Sequence, residues 1–175
     1  MVWTQFPLHP DTPPEGLPLE ALHPERTPEQ RAAGQARMKG LMEAEGLPYG
    51  DRSHTYNSRL AQELSKWADA QPGGAALHDA LFRAYFAELR NIAQPDVLVD
   101  VAASVGLSGE EARTVLEART FADAVDQDWL RSRSIGVTGV PTFVIDMHGV
   151  VGAQPYEVLE QFVQEYGRKE RPEED

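Results

Sequence analysis

The apolar residues of this chain change period after Ser134, and that change limits the folds open to it. From Thr27 to Ser134 they recur at helical spacing. Beyond that they form a short extended block, Thr142-Phe143-Val144-Ile145-Asp146, which turns at Met147-His148-Gly149 and returns through Val150-Val151-Gly152. A strand places alternate residues on opposite faces and a helix repeats its face every 3.6 residues, so one pattern cannot serve the other. The chain reads as α/β, with its helices gathered in one long stretch and a β-hairpin after them.

Each helix carries its own start and stop. Thr27-Pro28-Glu29-Gln30 joins a capping box to a proline at the first helical position, and that helix runs to Gly46-Leu47-Pro48. Asn57 caps a second helix, whose Leu60, Leu64, Trp67 and Ala68 form one stripe before Pro72-Gly73-Gly74. A third, from Ala75 to Leu89, carries Leu77, Leu81, Phe82, Tyr85 and Phe86, a face wide enough to pack on two sides. A fourth begins at Gln94-Pro95-Asp96, a fifth at the capping box Ser108-Gly109-Glu110-Glu111, and a sixth covers Phe121 to Ser134. After the hairpin, Pro155 opens a last helix with Val158, Leu159, Phe162 and Val163 inward, and residues 168–175 form a frayed tail.

At the other end, Val2, Thr4 and Phe6 share one face of an extended segment, a short strand that Pro7 ends. Residues 8–24 hold five prolines, which remove amide donors and fix φ, so this stretch is expected to be a loop.

Composition narrows the functions. A chain of 175 residues buries roughly 70% of its unfolded surface and needs no disulfide or metal to fold. The net charge of −12 argues against nucleic acid as a partner, because polyanion binding is driven by clustered cations. No run approaches the ~18 apolar residues of a membrane span, and Met1-Val2-Trp3-Thr4 lacks a basic, then apolar, leader, so a cytoplasmic location is expected. The five histidines show no metal-ligand spacing, and Glu110-Glu111 and Asp123, Asp126 and Asp128 fit helix N-terminal turns better than a catalytic pair. There is no cysteine, so no side chain here can act as an attacking thiol.

The segment Ile135-Gly136-Val137-Thr138-Gly139-Val140-Pro141-Thr142-Phe143-Val144-Ile145 resembles the Gly-Val-Pro-Thr-Phe lead-in to the third strand of the thioredoxin fold. The long helical stretch narrows that resemblance to the DsbA-like branch. Tyr56-Asn57-Ser58, Leu81-Phe82-Arg83-Ala84-Tyr85-Phe86, Leu98-Val99-Asp100-Val101-Ala102, Gly106-Leu107 and Gly152-Ala153-Gln154 resemble its FrnE-type subgroup. The fold so implied is thioredoxin-like with an all-helical insertion. It is one domain over residues 1–175, with thioredoxin-like parts at 1–26 and 135–167 and the insertion at about 27–134. Members of the family begin with a strand and a helix that carries Cys-x-x-Cys. This chain lacks that βα unit, which suggests a truncated or inactive form and leaves unpaired backbone groups on two strands.

The resemblance implies a protein disulfide oxidoreductase whose substrate is an extended peptide or a thiol/disulfide compound. Val140 and Pro141, with a cis peptide bond, form the groove, where Val140 offers its main chain to the substrate. An ordinary trans proline before a strand is the plainer reading. Gly139, Thr142, Asn57 and Gln154 are placed at the same groove, although Asn57 and Gln154 also fit as helix caps. No cofactor is expected, except glutathione if the chain is instead related to the 2-hydroxychromene-2-carboxylate isomerases or kappa-class transferases. A third reading is a non-catalytic peptide-binding module that self-associates through open strand edges.

Overall fold

A computed structural model of the protein describes residues 2–167. Where the sequence carries a start signal, a helix follows. Thr27 Oγ1 accepts from the Gln30 N–H while the Gln30 side chain accepts from the Thr27 N–H, and the prolyl ring at Pro28 loses no hydrogen bond.

The elements in order are β1 (Leu17–Pro18), α1 (Leu19–Leu22), α2 (Pro28–Ala44), β2 (His54–Thr55), α3 (Arg59–Ala68), α4 (Ala76–Phe86), α5 (Pro95–Ser104) and α6 (Gly109–Ala118). Then come α7 (Ala122–Ser134), β3 (Thr142–Ile145), β4 (His148–Val151) and α8 (Tyr156–Tyr166). They fall into two compact units: His9–Asp126, and Met1–Leu8 together with Gln127–Asp175, of which residues 2–8 and 127–167 are described. We call these the helical unit and the hairpin unit.

In the helical unit, α3 is the centre of the core. Leu64 and Ala68 have no exposed surface and Trp67 is buried, packed with Leu77 and Leu81 of α4, Leu98, Val101 and Ala102 of α5, and Ala112 and Leu116 of α6. The expected stripe is therefore buried, but Gln62, Glu63 and Ser65 outside it are buried too, because α3 packs against α4, α5 and α6. The third helix is narrower than its apolar sequence suggests: Phe82 stays 54% exposed, and the helix ends at Phe86 rather than Leu89.

The proline-rich segment is not wholly a loop. Leu17–Pro18 pairs antiparallel with His54–Thr55, inside the stretch expected to be all helical, and α1 adds one turn. Gly16 makes this approach possible, since its φ is +89° and a Cβ there would lie 2.5 Å from the Tyr56 ring.

In the hairpin unit, β3 and β4 pair antiparallel in the register Thr142↔Val151 through Ile145↔His148. The turn is Asp146–Met147, so His148 and Gly149, read as turn residues from the sequence, belong to the returning strand. Asp146 takes a φ of 53°, a conformation aspartate tolerates better than most residues. The face bearing Phe143, Ile145, Val150 and His148 includes the stack of His148 on Tyr166 of α8, with ring centroids 4.0 Å apart.

Two further expectations fail here. Val2–Phe6 is not a strand: the Gln5 N–H donates to Asp128 Oδ2 at 3.0 Å and the Gln5 carbonyl accepts from Ser132 Oγ at 3.2 Å, so side chains of α7 take the bonds a neighbouring strand would make. On α8, Phe162 is buried and Leu159 half-buried, but Val158 and Val163 are 40% and 57% exposed, which leaves a narrower inner face than the sequence indicates. The expected tail at 168–175 lies outside the described residues.

Candidate functional site

The turn into β3 leaves main-chain groups unpaired. The Val140–Pro141 peptide is cis. The Pro141 carbonyl accepts from the Gly152 N–H at 2.8 Å, extending the β3–β4 ladder by one bond, and Thr142 Oγ1 donates to the Gly139 carbonyl at 2.6 Å. Val140 lies between these two bonds. Its N–H and C=O have no hydrogen-bond partner among the described residues, and the residue is 49% exposed. Unpaired backbone groups are satisfied by water or by a ligand's own backbone.

Beside this turn, a cavity of about 200 Å³ is lined by Ile135, Val137, Thr142, Val144, His148 and Val151, among others. Val144 and Val151 lie on the hairpin face away from Phe143 and Val150 and are 39% and 57% exposed. The wall mixes aliphatic side chains with the polar groups of Thr142, Asp146 and His148, and the Thr142 hydroxyl is already tied to the turn. Gln154, the other groove residue of this unit, donates from Nε2 to the Val151 carbonyl at 2.7 Å, closing the chain between β4 and α8.

Asn57 belongs to the helical unit, and its side chain is committed there. Oδ1 accepts from the Arg59 N–H at 2.8 Å, and Nδ2 donates to the carbonyls of Pro10 and Thr12 at 3.0 and 2.7 Å. It clamps the proline-rich segment to the start of α3. Gly139, Val140, Pro141, Thr142 and Gln154 are thus gathered in the hairpin unit, and Asn57 sits in the other.

The strongest electrostatic feature was not legible in the sequence. Glu63, 1% exposed, accepts from Arg59 Nε at 2.6 Å and from Arg119 Nε and Nη2 at 2.7 and 2.6 Å. Arg59 also bonds Asp126 Oδ1 at 2.6 Å and the Ala122 carbonyl at 2.8 Å. Burial by itself would raise the Glu63 carboxyl, but the guanidinium donors of Arg119 and Arg59 outweigh it and hold it below the ordinary carboxylate value. Asp126 is lowered as well, first by its hydrogen bond from Arg59. Both Glu63 oxygens are matched to donors on the same unit, so the cluster reads as a structural tie between α3, the end of α6 and the start of α7.

Arg52 is a second such residue. Its guanidinium carbon stands 4.8 Å from the Tyr85 ring centroid and 5.1 Å from that of Phe86, two aromatics read as plain core. No periodic or motif signal marks Arg52, because it lies in an irregular segment before β2.

Among the described residues, no helix is long and apolar enough to cross a membrane, and no group of three or more His, Asp or Glu side chains could hold a metal ion.

The family model for the DSBA-like thioredoxin domain matches residues 1–164. A solved structure of a probable DsbA oxidoreductase from Streptomyces coelicolor is 32% identical, covers 95% of this chain and 75% of its own, and superposes with a TM-score of 0.83. An uncharacterized protein of Bacillus subtilis, YwbO, is 28% identical over 95% of this chain and 82% of its own length. A chain from Nitrosomonas europaea, provisionally assigned as a protein disulfide isomerase, has a TM-score of 0.66 over 82% of this chain and 76% of its own. At 17% identity it speaks for the fold alone.

Proposed function

This chain belongs to the DSBA-like thioredoxin domain family, and on that premise we propose that residues 1–175 form the substrate-positioning part of a protein disulfide oxidoreductase of the FrnE type. The observation that carries the reading is Val140, exposed at the turn into β3 with both main-chain groups unpaired among the described residues. An extended polypeptide aligns its backbone with Val140 as an added strand would, and one of its apolar side chains enters the cavity walled by Val137, Val144 and Val151.

Disulfide exchange itself needs a thiolate that attacks one substrate sulfur, forms a mixed disulfide and releases the other sulfur as a thiolate. These 175 residues contain no cysteine and supply no such group. Their contribution is binding and orientation, and the thiol has to come from outside them.

Two measurements test this. In an insulin-reduction assay the purified 175-residue chain should give no turnover above the uncatalysed rate; turnover would overturn the division of roles. In a binding titration with an extended, cysteine-free peptide, Val140→Pro removes the N–H and should weaken affinity roughly two- to tenfold, the worth of one hydrogen bond. Val140→Ala keeps the main chain and should stay within about twofold of the parent. Equal affinities for all three would sink the main-chain reading, provided circular dichroism shows the variants folded.

A further inference from the structure

We propose that the cleft formed by Arg52, Ser53, His54, Tyr56, Tyr85 and Leu89 binds a carboxylate group. All six residues lie in the helical unit. The cavity measures about 40 Å³. That exceeds the roughly 10–15 Å³ needed for one water and falls well short of the ~150 Å³ of a cavity that takes a benzene ring, so a headgroup of a few atoms is the right size.

Arg52 differs from the arginines that close short ion pairs in the helical unit. Arg59, Arg90, Arg113 and Arg119 each have a carboxylate oxygen within 3.1 Å. Arg52 has none among the described residues, although acidic side chains outnumber basic ones by 28 to 16. Its Nε is also the one buried side-chain nitrogen or oxygen without a hydrogen-bond partner among the described residues. A desolvated, unpaired guanidinium N–H is costly, and buried polar groups of this kind are found where a ligand or ion completes them.

The cation is nonetheless held in place. Its main chain is tied down, the Arg52 main-chain N–H donating to the Gly50 carbonyl at 3.0 Å and the Arg52 main-chain carbonyl accepting from Gln35 Nε2 at 2.6 Å. Its head lies over Tyr85 and Phe86, and the Tyr85 hydroxyl is tied to Thr55 Oγ1 at 3.1 Å. Gly50 lets the preceding loop come this close, since a Cβ there would stand 2.8 Å from the Ala87 carbonyl and from Leu89 Cδ2. The rotamer entropy of a long side chain is thus largely spent before any ligand arrives.

The rest of the lining suits the same headgroup. Ser53 Oγ and His54 Nδ1 are 2.9 Å apart, and the His54 ring stacks on Tyr56 at 6.2 Å. A hydroxyl and an imidazole therefore stand beside a planar guanidinium, the fork that matches two carboxylate oxygens. A monoanion is favoured over a phosphate dianion because the chain already carries a net charge of −12.

The test is a titration of the ¹⁵N-labelled full chain at constant ionic strength, following the Arg52 side-chain Nε–H resonance. Three probes are used: acetate, inorganic phosphate, and a short peptide compared as its C-terminal acid and amide. Saturable shifts with acetate or with the peptide acid support the site, and which of the two binds tells a free small acid from a polypeptide carboxylate. Arg52→Lys keeps the charge without the planar fork and should bind at least about tenfold more weakly. Arg52→Gln should abolish saturation, with folding of both variants checked by circular dichroism. No saturable shift with either carboxylate, an unchanged affinity in Arg52→Lys, or tighter binding of phosphate than of acetate would each overturn the assignment. The wild-type resonance decides the matter even if Arg52→Gln fails to fold.

Discussion

The helical unit and the hairpin unit use their apolar residues in opposite ways. Fifteen of the sixteen buried apolar residues among those described lie in the helical unit, and Phe162 is the sole one in the other. The hairpin unit leaves Val140, Val144, Met147, Val151, Val158 and Val163 exposed. Burial of apolar surface is the dominant favourable contribution to folding, so the folding free energy is concentrated in α3–α6 and the accessible apolar and main-chain groups around β3 and β4. On the proposed reading, stability and recognition fall to different stretches of one chain. The contrast is not uniform, since α2 buries none of its seventeen residues although it belongs to the helical unit.

The largest effect that could break this contrast is at Glu63. Replacing it with alanine leaves Arg59 and Arg119 without their shared carboxylate and should cost about 3–5 kcal/mol in urea denaturation. The same residue sets a pH dependence. The Glu63 carboxyl is lowered in the folded state from an ordinary value of 4.5, so its contribution is fully present above that value and is lost as pH falls through the lower folded one. Glu63→Gln should flatten the acid limb of the stability profile between pH 5 and the lower folded value, as judged by circular dichroism. An unchanged acid limb would remove Glu63 from the explanation.

Next comes Leu64, which has no exposed surface. Leu64→Ala should lose about 2–5 kcal/mol by thermal or urea unfolding. Ser108→Ala deletes the hydroxyl that accepts from the Glu111 N–H and should cost about 1 kcal/mol. The smallest effect is on the hairpin, where Met147 is 81% exposed and Met147→Ser should change stability by less than about 0.5 kcal/mol. If Met147→Ser cost as much as Leu64→Ala, the separation of stability from recognition would be wrong.

Local signals carried the helices well and the long-range pairings poorly. Thr27-Pro28-Glu29-Gln30 names its own helix because the bonds of a capping box span three residues, and the β3–β4 hairpin is similarly self-contained. The pairing of Leu17–Pro18 with His54–Thr55 joins segments that carry no common pattern, and the prolines had argued against a helix or an inner strand there. Arg119 reaches Glu63 across 56 residues from a left-handed position at the end of α6, which no periodicity foretells. At the candidate site, Gly139 to Thr142 could be read from the chain, because their geometry is local. Arg52 could not, since its meaning depends on Tyr85 and Phe86 of a different element.

The most direct test of the Val140 groove is an amide NMR titration of the 175-residue chain with an extended, cysteine-free peptide. The expected result is a saturable shift, with slowed solvent exchange, of the Val140 amide, together with shifts at Thr142 and Val144. Saturable binding that leaves Val140 unmoved, or no binding at all, would contradict it.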